Sequence, residues 1–251
     1  LDATIKDLVP GILPAKCLNG NGWVILSKEE GKWIDLQPEK PTELKQLIEI
    51  KLDSDGDHVA NISQSRKQYE YLDWLKKFEE TGGEVEYASY LEETRDQYIE
   101  EYSVLKNDIE TLSASEKMSL DLSEYVDDLG NELVLNPYLM TFLEQNPFKT
   151  ENRRYPVDLN YLSKKSSIIT IDLTENMIPG KLPESTAFKL PEGGLSFSFR
   201  CNKLSDSKVQ IITKFEVTRT VFSEEEYPIL RAFYSEVINK LSESIQLVKQ
   251  T

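Results

Sequence analysis

Val209-Gln210-Ile211-Ile212-Thr213-Lys214-Phe215-Glu216-Val217 is followed, after Ser223-Glu224-Glu225-Glu226, by Tyr227-Pro228-Ile229-Leu230-Arg231-Ala232-Phe233-Tyr234 and on to Leu241. The first run is rich in β-branched and aromatic residues and is punctuated by charges, so it reads as a long strand extending towards Thr220. The second changes period. Tyr227, Leu230, Tyr234, Val237, Ile238, Leu241 and Ile245 fall three or four residues apart, which makes one apolar stripe on a helix. Ser223 with Glu226 three residues on forms the pattern of a capping box at its start. A helix with such a stripe must cover something, and the sheet formed by the preceding strands is the available surface. The expected class is α+β: mainly antiparallel strands in a sandwich-like arrangement, with helices packed on it, the last one long.

Working towards the N-terminus, Tyr155–Tyr161, Ser167–Leu173 and Leu195–Cys201 are further strand candidates. Asn136-Pro137 predicts a helix start, because Asn caps and Pro suits the first helical position. Leu139, Met140 and Leu143 would be its buried stripe, ending at Asn146-Pro147. Asp128-Leu129-Gly130-Asn131 reads as a turn before a strand at Glu132–Leu135, with strands at Tyr98–Ile109 and Lys117–Val126 ahead of it. Tyr71, Leu72, Leu75 and Phe78 predict a helix that Gly82-Gly83 stops, and a second helix starts near Glu84. Ile48, Ile50 and Leu52 alternate with Glu49, Lys51 and Asp53, a half-buried strand that Asp55-Gly56 turns into a hairpin. Trp23–Leu26 and Trp33–Leu36 are apolar runs of strand length around a Lys28–Gly31 turn. Residues 1–40 and 41–251 are thus the expected units, with a possible division of the latter near 136.

The 251 residues carry 44 acidic and 29 basic side chains, a formal charge of −15. Such a surface repels phosphate backbones and anionic lipid, so neither nucleic acid nor membrane is an expected partner. No apolar run reaches the length of a membrane-spanning helix.

Asp2-Ala3-Thr4, Pro10-Gly11-Ile12-Leu13-Pro14 and Cys17-Leu18-Asn19-Gly20-Asn21-Gly22 resemble the closing segment of a transglutaminase-like core of the papain-fold superfamily. In order after them come Asn146-Pro147-Phe148, Arg153-Arg154-Tyr155-Pro156-Val157-Asp158, Leu182-Pro183-Glu184, Leu190-Pro191 and the Tyr227-to-Lys249 segment. Together these resemble the domain of unknown function that follows that core in Bacteroidetes proteins. The resemblance implies that Asp2 is the residue orienting a catalytic His. It also implies that the His and its partner Cys lie upstream of Leu1, so this stretch is the back end of a longer polypeptide. Residues 1–40 would be the tail of that core and residues 41–251 a β-rich accessory region. By the same resemblance the protein is exported to the periplasm, cell surface or exterior.

The chemistry-bearing residues are few. His58 is the sole histidine and Cys17 and Cys201 the two cysteines, so a self-contained Cys-His hydrolase would have to unite them. Asp53, Asp55 and Asp57 offer carboxylates at the opening spacing of a calcium loop. However, Gly56 comes too early and Gln64 stands where the closing Glu belongs, which favours a solvated turn. One His and two distant Cys disfavour zinc, and no phosphate-binding glycine motif occurs, so no metal or cofactor is expected. Tyr69, Tyr71, Trp74, Tyr98 and Tyr102 could form a sugar- or peptide-binding platform, or anchor a core. The leading expectation is a non-catalytic accessory region that supports the upstream core or presents a ligand. The alternative is an independent glycan- or peptide-binding module of the cell envelope.

Overall fold

The structure is a computed structural model and describes residues 9, 12–18, 20–53, 56–174 and 176–250. After a 3-10 turn at Ala15–Cys17 come β1 (Asn21–Ile25), β2 (Gly31–Asp35), β3 (Thr42–Leu52) and β4 (Val59–Lys67). Helices α1 (Tyr69–Thr81) and α2 (Glu84–Arg95) lead to β5 (Tyr98–Asp108), β6 (Ser113–Asp121), β7 (Asp127–Asp128) and β8 (Glu132–Leu135). Then follow β9 (Val157–Asp158), β10 (Ser163–Leu173), β11 (Met177–Pro179), β12 (Thr186–Lys189), β13 (Leu195–Ser205) and β14 (Lys208–Val217). The chain closes with β15 (Val221–Phe222), α3 (Tyr227–Leu241) and β16 (Ile245–Lys249).

Eight strands form one sheet in the order β12-β13-β14-β10-β3-β4-β6-β5. Every pairing in it is antiparallel except β10 with β3, where Ser163 faces Thr42 and Leu173 faces Leu52 in parallel register. The sheet therefore takes strands from both sides of residue 136. Strand parity does what the alternation implied. Leu44, Ile48, Ile50 and Leu52 are buried, while Lys45, Glu49 and Lys51 stand on the open face.

The buried face is covered by a composite second layer, which makes the sandwich-like arrangement. Helix α1 packs on β3 and β4, and α2 on β5. Over the other half, Phe233 of α3 meets the Phe188 ring at 5.0 Å and Tyr234 meets Phe215 at 5.6 Å. A smaller sheet of order β11-β16-β8-β7 contributes Leu133, Leu135, Ile245 and Leu247 to the same core.

Helix α1 ends as expected: Gly82 takes the left-handed conformation at φ 110° and donates its N–H to the Phe78 carbonyl. Three other expectations change. The capping box at α3 is half made. The Ser223 N–H donates to Glu226 Oε2 at 2.9 Å, but the Ser223 hydroxyl turns to Glu225 and helical structure starts only at Tyr227. Glu226 is shared with the Arg219 guanidinium, which competes for the carboxylate.

The stripe also stops at Leu241, and Ile245 opens β16 instead of extending the helix. Finally, no helix forms at Asn136-Pro137. Asn136 accepts the Tyr138 N–H through Oδ1 and donates to the Leu241 carbonyl at the end of α3. Asn146 similarly donates to the Arg231 carbonyl and to Ser235 Oγ, both at 2.8 Å. The two amides pin an irregular segment along α3, and with Tyr138, Leu139 and Met140 buried beneath it, tertiary packing overrides the local signal.

Candidate functional site

Asp2 lies outside the described residues, as does Asp55. Asp53 and Asp57 flank the β3–β4 turn, where Gly56 has φ 101°. Among the described residues no group of three or more His, Cys, Asp and Glu is placed to hold a metal ion.

The two cysteines and His58 are not brought together. Tyr69, bonded through its hydroxyl to Leu13 and through its N–H to Thr42, ties the segment containing Cys17 to the first residue of β3. His58 sits beyond the last residue of β3, an eleven-residue strand about 30 Å long. Cys201 on β13 reaches β3 only through Ile211 and Ile169, three strand spacings or about 14 Å away. Neither thiol can hand a proton to this imidazole.

His58 has a structural task instead. It is 5% exposed, and its Nδ1 accepts the Asp53 N–H at 3.3 Å, which holds the turn. Burial lowers its pKa below the ordinary 6.5, against the pull of the nearby Asp53 carboxylate. The unfolded chain therefore binds a proton near pH 6.5 that the folded chain takes up only at lower pH. The stability this residue contributes is complete above 6.5 and is lost as the pH falls below it. Urea midpoints measured from about pH 7.5 to about pH 5 should fall less steeply in His58→Asn, whose amide oxygen can still accept the Asp53 N–H. Identical slopes would show that His58 is not the titrating group.

Of the aromatic candidates, Tyr69, Tyr71 and Trp74 are at most 4% exposed and belong to the interior; Tyr102 is half-buried and Tyr98 exposed. The exposed aromatic pair lies elsewhere. In the β1–β2 hairpin, Trp23 faces Trp33 edge-on with centroids 5.2 Å apart. Their exposures are 52% and 66%, and Ile25 and Leu26 beside them are also exposed. Gly31 permits this arrangement, since a Cβ there would strike the Trp23 indole. Behind the hairpin, Ile34, Leu36, Tyr69 and Leu112 line a groove of about 800 Å³.

A second feature is a polar cluster on the buried face. Glu116 of β6, 1% exposed, accepts from Arg66 at 2.6 Å, from Trp74 Nε1 at 3.0 Å and from the Tyr102 hydroxyl at 2.5 Å. Burial disfavours the Arg66 cation, but the adjoining Glu116 charge outweighs it and raises the guanidinium pKa. Burial, reinforced by the same carboxylate, pushes Tyr87 up to about 12 and Tyr102 higher still. Arg66 in turn donates to Gln64 Oε1 at 2.6 Å. Gln64, Arg66 and Tyr87 form part of the wall of a cavity of about 500 Å³ between β3, β4, α2 and the 140–145 segment.

Sequence reasoning passed over Arg66 and Glu116 and weighed Gln64 only against a calcium loop, although the parity of β4 was a signal for Gln64 and Arg66. Ala60 and Ile62 fix the inward face of β4, and two further steps of two place Gln64 and Arg66 on it. Polar side chains at core positions are the informative exceptions.

Residues 131–247, a little under half of the chain, match the family model DUF3858, a domain of unknown function with solved structure. A solved structure described as that of a candidate protease from Parabacteroides distasonis ATCC 8503 is similar at 11% sequence identity with a TM-score of 0.39. That likeness covers 48% of this chain and 24% of the other, so this chain spans about a quarter of that protein. No curated protein matches the chain.

Proposed function

We propose that the chain is a non-catalytic accessory region of an exported transglutaminase-like protein, and that it docks on the papain-like core through the β1–β2 hairpin. The supporting observation is the hairpin itself. Trp23, Ile25, Leu26 and Trp33 expose large apolar side chains side by side on a chain of net charge −15. Contiguous exposed apolar surface, and Trp above all, characterises binding surfaces. The Asp2-to-Gly22 segment leads directly into this hairpin and carries the resemblance to the closing part of such a core.

The test pairs this chain with the core region encoded upstream, produced as a separate polypeptide, and measures binding by calorimetry. Trp33→Ser and Ile25→Ser should each weaken the complex roughly tenfold or more, as truncation of a central anchor does. Absence of binding by the unaltered pair, or variants that bind equally well, would remove the proposal.

A further inference from the structure

The open face of the eight-stranded sheet carries a charge pattern opposite to that of the whole chain. All three helices and the smaller sheet pack on the other face, which leaves this one to solvent. Two adjacent rows cross it from β13 to β6. The first runs Ser198, Lys214, Ser166, Lys45, Ser65 and Ser115. The second runs Arg200, Ile212, Ile168, Leu47, Ser63 and Lys117. Their chain neighbours Phe199, Ile211, Ile169, Ile48 and Ile62 are buried, which fixes the outward parity.

Neither row holds a carboxylate, so all 44 acidic side chains of the chain lie elsewhere. Lys45 meets Glu43 of the next row at 3.4 Å, an exposed pair of little strength. Arg200, Lys214 and Lys117 make no ion pair among the described residues. A sheet face in water needs polar side chains, but it needs neither a single sign of charge nor an aliphatic centre. Here Leu47 is 44% exposed and Ile168 39%, with Ile212 half-buried beside them. The three span two strand spacings, about 10 Å. Arg200 and Lys117 lie towards the two ends of this strip, and Lys214 and Lys45 run along one side. The opposite side is neutral at Gln210 and Thr170 and ends on Glu49, so the attraction is one-sided.

This pattern narrows the partner. Neither row contains an aromatic ring on which a base or a sugar could stack. A long polyanion would also reach past the rows onto acidic surface. Salt confines attraction to about 8 Å, so a short segment feels the rows and not the net charge. An α-helix matches the dimensions, because residues i and i+7 stand about 10.5 Å apart, the length of the strip. Helix on sheet is also the packing used on the buried side.

We infer that the open face docks an acidic amphipathic helix of a partner protein. Its aliphatic stripe lies on Ile212, Ile168 and Leu47, and carboxylates on one flank meet Lys214 and Lys45. The surface shares no residue with the β1–β2 hairpin, so either reading can fail without the other.

The test titrates the whole chain with a synthetic helical peptide of about 20 residues, leucine along one face and glutamate on the flanks. Methyl resonances of Leu47, Ile168 and Ile212 report where it binds. They should shift saturably, and added salt should weaken the complex. Lys45→Glu combined with Lys214→Glu alters exposed positions only, so the thermal melt should stay unchanged while affinity falls roughly tenfold or more. Ile168→Ser should weaken binding without changing its salt dependence. Methyls that do not move, or that move equally with lysine in place of glutamate in the peptide, overturn the inference. An equal response to polyglutamate or dextran sulfate does the same, since the face would then read charge without the strip. Shifts that follow protein concentration alone would assign the strip to a second copy of the chain and overturn it too.

Discussion

Glu116→Ala is expected to destabilise the fold by about 3–5 kcal/mol, because it leaves the buried Arg66 guanidinium without its counter-charge. The loss is larger than that of a single ion pair. The same carboxylate also satisfies Trp74 Nε1 and the Tyr102 hydroxyl, and both would become unpaired donors in the interior. Urea unfolding at neutral pH measures the effect. The companion experiment is the double variant Arg66→Met, Glu116→Leu. It removes both charges and should recover the part of the loss that comes from the uncompensated Arg66 charge. The Trp74 and Tyr102 donors stay unpaired, so the double variant should lie between the single variant and the unaltered chain. A single variant that costs under about 1 kcal/mol would mean that water enters and shields the cluster.

Phe199→Ala carries the second large effect, about 3–5 kcal/mol from lost burial and the void left behind. Phe199 has no exposed surface and lies where three elements meet. It is carried by β13, the Tyr138 ring is 6.1 Å away, and the Lys240 ammonium of α3 sits 4.7 Å above its face. Lys240 is itself almost buried and bonds Glu243 at 2.7 Å, so without the ring its charge is held over a vacancy. The melting temperature should fall by roughly 10 °C in a chain of this size. A drop of only a degree or two would show that Tyr138 collapses into the space.

Much of the local structure could be read from the sequence, because period and parity are local properties. The β3–β4 hairpin, both central helices, the Gly82 stop and the apolar stripe of α3 follow from residues close together in the chain. The helix expected at Asn136 fails for the opposite reason. Its decisive bonds go to Leu241 and Arg231, distant residues that no local pattern reveals. The cavity was half legible: the inward parity of Gln64 and Arg66 is visible in β4, but their meeting with Glu116 depends on β6 pairing next to β4. The hairpin shows the limit from the other side, for the apolar runs at Trp23 and Trp33 predict strands without saying that the two indoles face outwards.

The parallel pairing of β3 with β10 governs how the molecule comes to be made. On one side β3, β4, β6 and β5 assemble from nearby chain, and on the other β10, β14, β13 and β12 do the same. Joining the two groups means closing a long intervening loop, a slow step that only full docking rewards. Until then each group ends in an eleven-residue strand with unpaired backbone, the kind of edge that recruits other chains. Refolding yield is therefore expected to decline with protein concentration, since the seam between the halves competes with aggregation for the same two strands.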